Sequence, residues 1–168
     1  MFTVSGRIAD ISEDESLIRW CELLAEAPFD HVVVCQPNDN TLAHMGELSS
    51  ETLKFRGIRG YVVDGGCRDT EFVMNIRFPV FCRYQTPGDI VGKWSVETTG
   101  ESIRIGSLTI NSGDYIMGDR DGLVLIPKDR VQECVERVEE VMNTESLVRK
   151  AILAGVNPKE AYLKYGRF

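Results

Sequence analysis

The stretch GYVVDGGCRDTEFVMN, residues 60–75, decides the fold. Gly60 to Asp64 is a short, apolar, β-branched run, the pattern of a strand buried on both faces. Gly65-Gly66 follows and predicts a tight strand-to-helix turn, because glycine adopts backbone angles closed to other residues. Arg68 to Asn75 then reads as a short helix. The same order occurs upstream. His31 to Cys35 is a buried strand, Gln36 to Asn40 a polar turn around Pro37, and Thr41 to Arg56 a helix with an irregular start near Gly46 and a stop at Gly57. Pro79 to Cys82 is another strand, and Phe2 to Ile8 with a helix at Glu15 to Ala25 opens the series. Strands alternating with helices predict an α/β half.

The second half changes character. Val91 to Ile126 reads as short strands broken by turn signals at Gly100, Gly106, Asn111 to Asp114 and Gly118 to Gly122, which predicts antiparallel hairpins. From Pro127 the pattern is helical, with Val131, Cys134, Val135, Val138, Val141 and Met142 on one apolar stripe. Asn143 or Thr144 is expected to cap a separate helix, Glu145 to Leu153, and Asn157-Pro158 to start a last short one. No repeat or linker interrupts the chain, so a single domain over 1–168 is expected.

Composition bounds the function. With 168 residues, 43% hydrophobic and 27% charged, the chain can bury one core. A net charge of −7 without a basic cluster argues against nucleic-acid binding. No stretch approaches the roughly 20 apolar residues of a membrane span, and no secretory signal is visible. Cys21, Cys35, Cys67, Cys82 and Cys134 show no zinc-ligand spacing. Their odd number and apolar settings predict reduced thiols in a cytoplasmic protein.

Two short stretches carry candidate chemistry. In Arg68-Asp69, after a strand end, the Arg suits a bidentate grip on a carboxylate and the Asp suits a hard cation such as Mg²⁺ or Mn²⁺. A solvated ion pair at a helix start explains the same residues. In Gly46-Glu47-Leu48-Ser49, Gly46 would let backbone N–H groups face a bound carboxylate, and Glu47 would set a second acid nearby. Alone, this stretch also reads as a helix with a tolerated Gly and a solvated Glu. Twenty residues separate Glu47 from Arg68. Elsewhere, Gly118 to Gly122 reads as a hairpin turn rather than a metal site, His31 as structural, His44 as a surface helix position with a pocket-lining place beside Gly46 as the alternative, and Trp20 and Trp94 as packing.

An acid, twenty residues and Arg-Asp resembles the motif of the class II pyruvate aldolases of the RraA-like family. MGELSSETLKFRGIRGYVVDGGCRDTEFVMNIRFPVF at 45–81, LTINSGDY at 108–115 and GDRDGLVLIP at 118–127 extend the resemblance from Phe2 to about Gly155. It implies a swivelling β/β/α fold, and a homotrimer or hexamer with its site at the subunit interface. By position, the Gly46, Glu47, Leu48 and Ser49 backbone would bind the pyruvate part of a 2-oxo-acid substrate. Arg68 would bind its carboxylate or keto oxygen, Asp69 would be the metal ligand, and Glu47 would orient a metal-bound water. Glu145 of a neighbouring subunit would supply a further catalytic acid. The implied reaction cleaves 4-hydroxy-4-methyl-2-oxoglutarate-like aldols to pyruvate, with oxaloacetate decarboxylation as a side activity. The alternatives within the family are a regulator that binds and inhibits a ribonuclease, and a catalytically silent member. Glu47 beside Arg68-Asp69 favours the enzyme. Two departures stand out: family members carry a helical lead-in before the strand that opens this sequence, and Phe72 stands where many relatives have an acid, which here is displaced to Glu71.

Overall fold

In the computed structural model, which describes residues 1–166, the first strand β1 (Phe2–Ile8) leads into α1 (Glu13–Glu26), β2 (Val32–Gln36), α2 (Glu47–Phe55), β3 (Gly60–Val63), β4 (Gly66–Cys67) and α3 (Thr70–Asn75). Short strands follow: β5 (Val80–Phe81), β6 (Tyr84–Gln85), β7 (Trp94–Thr99), β8 (Ile103–Ile105), β9 (Leu108–Ile110), β10 (Tyr115–Gly118) and β11 (Leu123–Ile126). Two helices, α4 (Val131–Leu153) and α5 (Pro158–Tyr165), come last. The chain divides into two compact units, one from Met1 to Leu125 and one from Ile126 onward. The architecture is the mixed α/β class with a central sheet, a β-rich second half and C-terminal helices.

The central sheet of the first unit has the order β5-β3-β2-β1-β7. β1, β2, β3 and β5 run parallel, and β7 closes the edge antiparallel to β1. Alternation along the inner strands builds two apolar layers. Val33, Cys35, Tyr61 and Val63 join Trp20, Leu23, Leu24 and Leu53 on one face. Val34 and Val62 join Ile103 and Ile110 on the other. The runs at 32–35 and 60–63 are therefore buried on both faces, as their unbroken apolar character predicts. β8 and β9 form an antiparallel hairpin, and a turn closed by Asp119 N–H to the Gly122 carbonyl joins β10 to β11. Among the described residues no helix is long and apolar enough to cross a membrane.

Three local expectations are corrected. Thr41 to Arg56 is not one helix. Residues 41–45 run alongside β4 instead, with the Ala43 N–H bonded to the Gly88 carbonyl, the His44 N–H to the Gly66 carbonyl, and the Thr41 and Leu42 N–H groups to the Asp39 carboxylate. Gly65-Gly66 is not a strand-to-helix turn either: Gly66 opens β4, and neither glycine has a positive φ. They are glycines because of crowding: a Cβ on Gly66 would lie 2.5 Å from the Leu42 carbonyl oxygen and 2.6 Å from the Tyr84 ring. Finally, α4 runs unbroken through Asn143 and Thr144, so no separate helix begins at Glu145. The Thr144 hydroxyl donates to the Glu140 carbonyl at 3.0 Å, which satisfies it inside the helix and removes its use as a cap.

The crowding at Gly66 has a measurable consequence. Gly66→Ala is expected to destabilise the protein by about 1–3 kcal/mol, because the obstructing atoms include backbone. Urea unfolding with an unchanged midpoint would contradict this close approach.

Candidate active site

The site begins where α2 begins. Gly46 is the N-cap position with extended backbone, φ −152° and ψ −169°. It has no side chain to cap the helix, and the cap comes from far along the chain: Asp69 Oδ2 accepts the Glu47 N–H at 3.0 Å. The Arg68 N–H donates to the Met45 carbonyl at 2.9 Å, which locks the two segments in register. A Cβ on Gly46 would lie 2.8 Å from Asp69 Oδ2 and 3.0 Å from Arg68 Nε, so only glycine admits this approach. Asp69 adopts a left-handed conformation, φ 55°, as it enters α3. Leu48 and Ser49 lie in the first turn of α2, where backbone N–H groups have no partner inside the helix. Together with the helix dipole they suit an anion.

Arg68 stands between two carboxylates. Its Nε is 3.5 Å from Asp69 Oδ2, and its Nη1 donates to Asp89 Oδ2 at 2.5 Å. Asp89 was not among the residues anticipated from sequence, where Thr86-Pro87-Gly88-Asp89 carries only a turn signal. Its other oxygen accepts the Val91 N–H at 2.8 Å. Burial opposes ionisation of Asp89, but the Val91 N–H and the Arg68 guanidinium outweigh it and hold the carboxyl below its ordinary value.

These groups face a cleft of about 660 Å³ whose walls include Trp20 and Leu24 of α1 and Leu48 and Thr52 of α2. The Trp20 indole N–H donates to the Ser49 hydroxyl at 2.9 Å and ties α1 to the first turn of α2. The expectation of a surface position for His44 is corrected. It is fully buried, its ring set edge-on to Trp94 at 5.0 Å, with Nε2 3.5 Å from Asp39 Oδ2. The reason is the path of residues 41–45, which run under the cleft rather than on a helix surface. Burial lowers the His44 pKa to about 4, with Asp39 pulling the other way, so the ring is neutral at pH 7.

Gly46, Glu47, Leu48, Ser49, Arg68 and Asp69 thus come together around one cleft at the carboxyl ends of β2 and β3. Glu145 belongs to the second unit, on α4, where it pairs with Arg149 at 2.5 Å. Among the described residues no three His, Cys, Asp or Glu side chains gather as a metal cage. A single carboxylate such as Asp69 still fits Mg²⁺, which is held by one or two carboxylates and takes its other oxygens from substrate and water. Among the described residues the hydrogen bond and ion pair of Asp69 fall on Oδ2, so Oδ1 is the atom that could face a cation.

The family model described as Aldolase/RraA, of the RraA-like family, matches residues 2–125. The chain belongs to the RraA-like family. This RraA-like chain is 28% identical, over 159 residues, to a Halalkalibacterium halodurans protein whose provisional name is 4-hydroxy-4-methyl-2-oxoglutarate aldolase, covering 95% of the chain and 75% of the relative. A solved structure of an uncharacterized protein from Pseudomonas syringae pv. tomato superposes with a TM-score of 0.87 at 25% identity, over 98% of this chain and 74% of that one. Streptomyces coelicolor RraAS2, described as an unusual member of the RNase ES inhibitor RraA protein family, shares the fold with a TM-score of 0.73 at 24% identity, over 89% and 76%.

His44 links the stability of this RraA-like unit to pH. Its folded-state pKa lies below the ordinary 6.5, so the unfolded chain binds the proton first as pH falls. The neutral ring's contribution is complete above pH 6.5 and is lost as pH falls towards about 4. Unfolding free energy is expected to drop by roughly 2 kcal/mol across that window, and His44→Gln to lose that part of the slope. Urea titrations at a series of pH values check it, and parallel curves for the two proteins would contradict the assignment.

Proposed function

We propose that the protein is a divalent-metal-dependent lyase that cleaves 4-hydroxy-4-methyl-2-oxoglutarate-like aldols to pyruvate and decarboxylates oxaloacetate as a side activity. One observation carries this reading: the Arg68 guanidinium, the Asp69 carboxylate and the first turn of α2 converge on one cleft. That set offers bidentate recognition of a carboxylate, an anion-binding helix end and a ligand for a hard cation. The provisional aldolase name of a relative that matches nearly the whole chain supports the same chemistry.

In this reading the substrate's carboxylate lies against the Leu48 and Ser49 N–H groups and Arg68. Arg68 also faces the keto oxygen, where negative charge grows as the C3–C4 bond breaks. Asp69 would hold Mg²⁺ or Mn²⁺, which when bound supplies Lewis acidity to the 2-oxo-acid oxygens. Glu47 serves the proton leaving the C4 hydroxyl, and the electron pair of the broken bond passes to the pyruvate fragment, which is then protonated at C3. Glu145 of a neighbouring copy, in a trimer or paired trimers, is the further acid we assign. Five free thiols support a reducing, cytoplasmic setting.

Coupled pyruvate release from oxaloacetate and from the aldol, with Mg²⁺ or Mn²⁺ and then with chelator, tests the reading. Metal-dependent pyruvate is expected, and Arg68→Ala and Asp69→Ala are each expected to lower kcat/KM by about 100-fold or more. A parent protein that releases no pyruvate under any metal condition overturns the lyase reading. Full activity in either variant overturns the site.

A further inference from the structure

We propose that Asp89 is a positioning residue that holds the Arg68 guanidinium ready for the substrate carboxylate. The proposal rests on the lyase reading for its chemistry, while the clamp itself rests on geometry. Asp89 is anchored at both oxygens: Oδ1 accepts the Val91 N–H at 2.8 Å, and Oδ2 accepts from Arg68 Nη1 at 2.5 Å. The loop that carries it is tied to both halves of the site. The Gly88 carbonyl accepts the Ala43 N–H at 2.8 Å, three residues before Gly46, and the Thr86 N–H donates to the Cys67 carbonyl at 3.1 Å, next to Arg68.

The consequence is directional. Arg68 Nε faces Asp69, and one N–H of Nη1 is taken by Asp89. Among the described residues no hydrogen bond uses Nη2. Both Nη2 N–H groups and the second Nη1 N–H remain to meet a carboxylate from the side that Asp89 leaves open. A free arginine would lose its side-chain freedom only on binding substrate, and Asp89 removes that loss beforehand. A lysine at position 68 could not use the arrangement, because its point charge has no fork to orient.

Asp89→Asn separates this role from a purely local one. Asparagine keeps the shape and one acceptor oxygen. If that oxygen keeps the Val91 N–H, the amide NH₂ meets Arg68 and the clamp is lost while the turn survives. Two measurements on the full-length protein test the idea. In arginine-labelled protein without substrate, nitrogen-15 NMR is expected to show separate Nη signals for Arg68, assigned by their absence in Arg68→Lys, and these should merge in D89N. In kinetics, D89N is expected to raise KM by about tenfold, with a smaller change in kcat and no further effect in the Arg68→Lys background. Asp89→Glu keeps the charge and should restore part of the Nη separation, and it stands in should D89N fail to fold. Unchanged Arg68 signals in D89N, no recovery in Asp89→Glu, or an equal D89N effect in the Arg68→Lys background would overturn the clamp. The NMR result is independent of turnover, so ordered Arg68 signals in a parent that releases no pyruvate would refute the lyase reading alone.

Discussion

The site depends on one contact, the bond from the Glu47 N–H to the Asp69 carboxylate across the bare Cα of Gly46. It joins the start of α2 to the segment after β4, although 22 positions separate the two residues. It also explains an otherwise unfavourable backbone. Asp69 sits in the left-handed region, a conformation that costs a non-glycine residue of order 1 kcal/mol. Aspartate tolerates that region better than most residues, and a carboxylate at a helix N-terminus gains a charge-assisted hydrogen bond and a favourable dipole. The strain and the cap support each other. A Cβ at Gly46 would crowd the Asp69 oxygen at 2.8 Å and press on the Arg68 Nε at 3.0 Å, so a side chain there displaces the capping carboxylate.

From that contact outward, the parallel sheet is what brings the partners near each other. Neighbouring parallel strands end on the same edge, so whatever follows β2 and β3 meets there. This part was legible in the sequence, because unbroken apolar runs at 32–35 and 60–63 could belong only to strands covered on both faces. The order of strands and helices made their parallel pairing the natural arrangement. Hence the six residues from Gly46 to Ser49 and at Arg68-Asp69 could be named before any coordinates, and they do line one cleft. Glu145 could be named only by family resemblance, since nothing in a helix surface position points to another subunit.

The features that escaped the sequence share a physical cause: long-range pairing overrode the local signal. Thr41 to Met45 has the spacing of apolar residues that suits a helix, yet its N–H groups bond to Gly66, Gly88 and Asp39. That turned His44 inward, where its polarity gave no warning of complete burial. The glycine pair at 65–66 was legible as special, but for the wrong reason; close packing rather than a left-handed turn excludes a Cβ there. Asp89 was silent because its role lies in an ion pair with a residue 21 positions away, and no spacing rule reports such a pair. In the second unit, the Thr144 hydroxyl found an acceptor within its own helix and therefore did not end it.

The charge arrangement adds a constraint on how an anion enters. The cleft is lined by four carboxylates, Glu47, Glu51, Asp69 and Asp89, against two guanidinium groups, Arg56 and Arg68. Arg56 is directed to the Ala25 carbonyl, and Arg68 already faces Asp69 and Asp89. In the proposed function an anionic 2-oxo acid would approach a cleft that is negative on balance, and at these part-exposed side chains salt screens that repulsion only in part. In that reading a divalent cation on Asp69 would cancel two of those charges beside the substrate oxygens. It would free the Arg68 fork from acting as the sole counter-ion. The proposed function then divides the labour: Asp69 would serve the cation, Asp89 would serve the arginine, and the arginine would be left to give direction to the substrate carboxylate rather than merely to attract it.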